Sequence, residues 1–311
     1  MVKMMSTRDA YGEALKELGL KNKDVVVLDA DLSGSTRTGV FKETYPDRFF
    51  NVGIAEQNLM GTAAGLASTG KIPFASTFAV FATGRSYEII RNSICYPKLN
   101  VKVAATHAGL TVGEDGATHQ ALEDLSLMRS LPNMVVLNPA DGVEAKQCIL
   151  KASEHNGPVY IRLGRSGVPV IFDEDYKFEI GKGVELESGN DITIIATGVM
   201  VKKALDARKE LEKEGISARV INMATIKPID KDIIIKAAKE TKGIVTAEEH
   251  NIIGGLGSAV SEVVVENHPV SVLRIGVEDT FGESGVGDEL LEKYGLTVEN
   301  IVEKAKKIYN L

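Results

Sequence analysis

A chain of 311 residues, 44% of them hydrophobic, can bury a substantial core, and its length fits two ordinary domains better than one large one. The net charge of -7 and a pI near 5.4 leave no broad basic surface, so binding to nucleic acid or to an anionic membrane is not expected. Two cysteines in helical runs, Cys95 and Cys148, suit reduced thiols, and no signal-peptide core or membrane-length apolar run occurs, so a cytoplasmic protein is expected.

Short β-branched runs alternate with amphipathic stretches of helical length, the pattern of a mostly parallel sheet covered by helices on both faces. The predicted strands are Val25–Leu28, Ile72–Ala75, Val101–Ala105, Met134–Leu137 and Val159–Leu163. Helices are predicted between them near Thr7–Leu18, Gln57–Ser68, Gly84–Ile94, Ala121–Arg129 and Val143–Glu154, with Gly19 and Gly70 placed where helix ends need a left-handed residue. The alternation lapses after about Pro169, and residues 171–189 read as a connection between domains. A second series follows, with strands Ile192–Ala196, Arg219–Asn222, Ile244–Ala247 and Val270–Ile275. Its helices are Met200–Glu214, Lys231–Glu240, Ser258–Glu266 and Val298–Ile308. The fold class is therefore α/β in two domains, 1–170 and 190–311, each a mostly parallel sheet flanked by helices.

Glu56, in N-V-G-I-A-E-Q-N, opens a helix whose G-T-A-A-G-L-A run allows close backbone approach. An acid there is favoured by the helix dipole alone, or it is buried against a ring that shares its proton. Phe78 and Phe81 follow a strand in a chain with nine Phe and no Trp. They are either core or a stacking wall where ligands bind in α/β sheets. His107 stands directly after a strand, and His119 closes a glycine-rich loop that holds Glu114 and Asp115. Such a pair suits proton transfer near neutral pH. Without H-x-x-H spacing or cysteine partners, a metal site is the weaker reading beside two solvated loop histidines.

Ser6 can cap the first helix with Asp9 as its partner, which puts Arg8 at the wrong end of the dipole for a cation. With Ser35 and Arg165 it forms a candidate anion-binding cluster, although each alone reads as a solvated surface residue. Gly254-Gly-Leu-Gly-Ser258 is either an anion-binding turn or a mark of close packing.

In order and spacing these motifs resemble the C-terminal half of a transketolase, or the C-terminal subunit where that enzyme is divided over two chains, and the resemblance spans essentially the whole sequence. It implies a pyrimidine-binding domain at 1–170 and a transketolase C-terminal domain at 190–311. Glu56 of G-I-x-E is implied to activate the aminopyrimidine of thiamine diphosphate. Phe78 and Phe81 of T-F-x-x-F would stack on that ring, and Asp31 would lie near it. A further aromatic of the family pattern is Gly84 here, so the wall is thinner or is completed by Tyr87.

The A-T-H and G-E-D-G-x-T-H-Q motifs imply that His107, His119 and Asp115 contact sugar hydroxyls and relay protons. The resemblance likewise implies that Arg8, Ser35 and Arg165 take substrate phosphate or neighbouring hydroxyls. The G-D-G motif that holds the diphosphate and its metal is absent from the sequence. An N-terminal partner subunit is thereby implied, carrying Mg²⁺ or Ca²⁺ in an α2β2 assembly, with self-association of this chain as a homodimer. Deoxyxylulose-phosphate synthase has an arginine where Phe81 stands, and 2-oxoacid dehydrogenase β subunits lack the paired histidines. A non-catalytic α/β subunit is the remaining alternative.

Overall fold

The computed structural model describes residues 3–311. In chain order its strands are β1 (Met4–Ser6), β2 (Val25–Asp29), β3 (Phe49–Asn51), β4 (Ile72–Phe78), β5 (Lys102–Thr106), β6 (Val135–Leu137) and β7 (Val159–Arg162). There follow β8 (Gly167–Pro169), β9 (Val184–Glu187), β10 (Ile192–Ala196), β11 (Ala218–Asn222), β12 (Thr225–Lys227), β13 (Gly243–Asn251) and β14 (Ser271–Val277).

The first sheet runs β12-β6-β7-β5-β4-β2-β3 and the second β14-β13-β10-β11-β9, while β1 and β8 form a separate antiparallel pair. Within the two large sheets only the edge strands β12 and β9 run antiparallel. The central strands β2 and β5 are buried along their whole length, as strands with helices on both faces must be. This is the two-domain α/β arrangement expected.

Five strands lie where none was predicted: the three-residue β1, β3 and β8, and two that bear on how the domains meet. β9 falls inside the stretch read as a connection, and its half-buried V-E-L-E pairs with β11. β12 comes from the second half of the chain yet closes the first sheet against β6. Buried side chains also pass between the domains without a break: Leu59 and Val103 share one apolar cluster with Ile195 and Ile221. The junction is therefore packed rather than a flexible hinge.

The first helix, Thr7–Lys21, is capped as expected, with the Asp9 N–H donating to Ser6 Oγ at 3.2 Å. Gly19 is not a helix cap: it lies inside that helix, where a Cβ would collide with the Tyr45 ring, and Asn22 is the cap instead. Gly70 does take the left-handed conformation, with φ +89°. The stretch predicted as a helix from Gly84 is wider-wound. Five-residue hydrogen-bonded turns span Phe81–Arg85 and Ile90–Cys95 around one α-turn, a winding found most often at functional sites.

Candidate functional site

The parallel register pairs Phe78 with Thr106, so β4 and β5 end side by side and deliver Phe78 and His107 to the same point. His107 takes φ +58°, a left-handed conformation uncommon outside glycine, and its ring lies flat on Phe78 with centroids 3.8 Å apart. Its Nδ1 is 2.8 Å from Thr106 Oγ1 and its Nε2 is 3.2 Å from Arg8 Nη1. A guanidinium only donates, so Nε2 accepts and Nδ1 carries the proton, which it gives to Thr106. Burial first, then the charges of Arg8 and Arg165, lower the His107 pKa to about 3, so the imidazole is neutral at physiological pH.

Phe81 continues the wall, its ring 5.9 Å from Phe78 and nearly parallel to it at 15°. His119 meets Phe81 edge-on at 5.4 Å, with its Nδ1 2.9 Å from Thr118 Oγ1. Arg85 completes the arrangement. Its guanidinium sits 4.2 Å from the Phe81 centroid while Nη1 reaches Glu56 Oε1 at 3.0 Å. Glu56 is the buried first residue of the helix Glu56–Ser68, preceded by Ala55, which offers no side-chain cap. Tyr87 is anchored through its hydroxyl, which lies 3.0 Å from Ser130 Oγ. Sequence reasoning missed Arg85. Its one signal was its place four residues beyond Phe81.

Of the three residues of the anticipated anion cluster, Arg8 and Ser35 are in contact, while Arg165 is held by the histidine loop. Arg8 Nη1 donates to the Ser35 carbonyl at 3.0 Å, so Ser35 takes part through its backbone. Arg165 is bound to the Val112 carbonyl and lies 3.2 Å from Glu114 and 3.9 Å from Asp115. Arg8, Arg37 and Arg165 all act electrostatically on His107, so positive potential gathers around its ring. Asp31 takes φ +64° and accepts a 2.8 Å hydrogen bond from Asn51 Nδ2. Beside it Asp29 is buried and organises the loop by accepting from Leu32 N, Thr36 Oγ1 and Thr38 Oγ1.

Among the described residues no group of three His, Cys, Asp or Glu side chains converges as a metal site, and no helix is long and apolar enough to cross a membrane. The Gly254–Ser258 turn already has its anion: Glu248 accepts from Leu256 N at 2.7 Å and Gly257 N at 2.8 Å.

A histidine loop and an aromatic wall beside a buried acid, at the ends of parallel strands, mark a two-domain α/β protein, and comparison with known proteins places it. Residues 3–170 match the transketolase pyrimidine-binding domain and residues 181–301 the transketolase C-terminal domain. The chain belongs to the transketolase family. It is 56% identical over 300 residues to a protein of Methanocaldococcus jannaschii described as "Putative transketolase C-terminal section", covering 96% of this chain and 94% of that one. It is 43% identical to the 6-deoxy-6-sulfo-D-fructose transketolase subunit SqwH of a Clostridium species, over 97% of this chain and 94% of the relative. Among solved structures, a split gene transketolase described as an inactive beta4 tetramer superposes with a TM-score of 0.93 at 60% identity, covering 99% of both chains.

Proposed function

We propose that this chain is the C-terminal subunit of a divided transketolase, moving a two-carbon ketol unit from a ketose phosphate to an aldose phosphate in the cytoplasm. Arg85 carries this reading. A planar, nitrogen-bearing cation rests on Phe81 and hydrogen-bonds to buried Glu56, and an aminopyrimidine makes the same two demands. The guanidinium thus stands in for the pyrimidine end of thiamine diphosphate, and the residues present fit that end. In this reading a separate N-terminal subunit holds the diphosphate and its Mg²⁺ or Ca²⁺, and the lack of a G-D-G motif in this sequence agrees with that division. The assembly expected is α2β2, with self-association of this chain as a homodimer.

In this reading Glu56 shares a proton with the ring nitrogen, Phe78 and Phe81 wall the ring and exclude water, and Asp31 lies near the cofactor. When bound, thiamine diphosphate supplies the nucleophilic carbon at which the ketose is cleaved. His107, Asp115 and His119 bind sugar hydroxyls. Neutral His107 can accept a hydroxyl proton at Nε2 once Arg8 turns to the substrate phosphate, which Arg165 and the Ser35 segment also meet.

The test is transfer from xylulose 5-phosphate to ribose 5-phosphate with thiamine diphosphate and Mg²⁺, using this chain alone and mixed with its N-terminal partner. Activity confined to the mixture is expected. A mixture that turns over pyruvate but no ketose would replace the assignment with another thiamine-dependent reaction.

A further inference from the structure

The loop from Gly109 to Gln120, which carries Asp115 and His119, is held in place by the other domain. Glu249 lies in β13 of the second sheet and is buried, yet its Oε1 accepts the Thr111 N–H at 2.6 Å. Gly109 makes this approach feasible. It takes φ +85°, and a Cβ there would collide with the Glu249 carboxylate. Its own N–H closes the loop on the Ala121 carbonyl at 3.0 Å.

Two further ties reinforce the first. Gln120 Nε2 donates to the Glu283 carbonyl at 2.9 Å, beyond the end of β14. Arg162 Nη2 donates to the Glu249 carbonyl at 2.9 Å and to the Ala121 carbonyl at 3.3 Å, while its Nε pairs with Asp124 at 2.8 Å. Neighbouring residues of a strand face opposite ways, and here the two acids divide their work accordingly. Glu248 caps a helix of its own domain, whereas Glu249 crosses to the first.

His119 is only half-buried and its own hydrogen bond is to adjacent Thr118, so its place against Phe81 depends on where the loop is held. We propose that Glu249 is a positioning residue for the reaction assigned above: by accepting the Thr111 N–H it fixes the 109–120 loop, and with it His119 over the aromatic wall. The inference rests on that functional reading for its catalytic consequence and on geometry alone for the clamp. It gives the second domain a part in the site beyond supporting the fold.

The experiment has two arms. In the full isolated chain, hydrogen exchange of the peptides covering 109–121 is compared for wild type, Glu249→Ala and Glu249→Gln. The alanine variant should exchange there about tenfold faster or more, with Leu256–Asn267 unchanged. The glutamine variant, which keeps an acceptor oxygen and leaves Arg162 paired with Asp124, should fold normally and fall between the two. In the mixture with the N-terminal partner, both variants should lower kcat while leaving thiamine diphosphate affinity unchanged, because Glu56, Phe78 and Phe81 are untouched.

Unchanged exchange in 109–121 for a folded variant that lacks the acceptor oxygen overturns the clamp. Faster exchange with normal kcat in an active mixture overturns the positioning role. A wild-type mixture with no ketol transfer counts against the functional reading, and the exchange arm still decides the clamp. Should Glu249→Ala fail to fold, Glu249→Leu, which fills most of the same space without an acceptor oxygen, replaces it in both arms.

Discussion

Arg85 Nη1 lies 3.0 Å from Glu56 Oε1, so the one buried acid at the mouth of the aromatic wall already has a cation on it. The arginine side chain is 52% exposed, which limits the pair to about 1 kcal/mol or less. Its stacking on Phe81 adds about 0.5–1 kcal/mol. Arg85→Ala should therefore lower the melting temperature by only a few degrees. The larger effect should be on ligand binding: with the guanidinium gone the Phe81 face is clear, and calorimetric titration of the mixed subunits should show tighter thiamine diphosphate binding. Weaker binding would mean that Arg85 grips the cofactor rather than holding its place.

Glu56→Gln keeps the volume and one acceptor oxygen but removes the group able to share a charge with the ring nitrogen. Activity of the mixture should fall by at least about a hundredfold, the scale of a lost proton-transfer partner. The circular dichroism spectrum and the melting temperature should stay close to wild type. Near-normal turnover would take Glu56 out of the chemistry.

The sheet architecture was legible because β2 and β10 are runs of mostly β-branched and apolar residues, and β5 and β11 hold such residues beside one or two polar ones, all bounded by turn signals. β9 was missed although V-E-L-E alternates with period two, because neighbouring acids and glycines hid it. β12 is three residues long and draws its stability from β6, a partner distant in sequence. The histidine loop stood out by its motif, but its stacking on Phe78 depends on the β4–β5 register, which no local pattern contains. Arg85 and Glu249 escaped for the same reason. Each acts through a contact made only after the chain has folded.

The neutral state of buried His107 predicts acid sensitivity. Its pKa falls from 6.5 to about 3 on folding, so between these values the unfolded chain binds the extra proton. The contribution of this group to stability should then drop as pH falls through this window, with a slope approaching about 1.4 kcal/mol per pH unit. His107→Gln should flatten that dependence by close to one proton. Urea midpoints measured from pH 4.5 to 7 check it, and an unchanged slope would mean that water or a moving Arg8 lets the native imidazole protonate.

Glu144 should act in the opposite sense. It is buried where the helix Gly142–Glu154 meets the second domain, accepting from Ala140 N at 2.7 Å, Tyr176 Oη at 2.9 Å and Asn222 Nδ2 at 2.7 Å. Burial outweighs these three donors and raises its pKa from 4.5 to about 7. The native chain therefore holds the extra proton between pH 4.5 and 7, and stability from this group is lost as pH rises through that range. Because His107 tilts the curve the other way below pH 6.5, the wild-type profile should be shallow there. Glu144→Gln should leave the His107 slope unopposed, so that urea midpoints climb more steeply with pH than in wild type. An equally shallow profile in this variant would show that Glu144 stays ionised among its three donors.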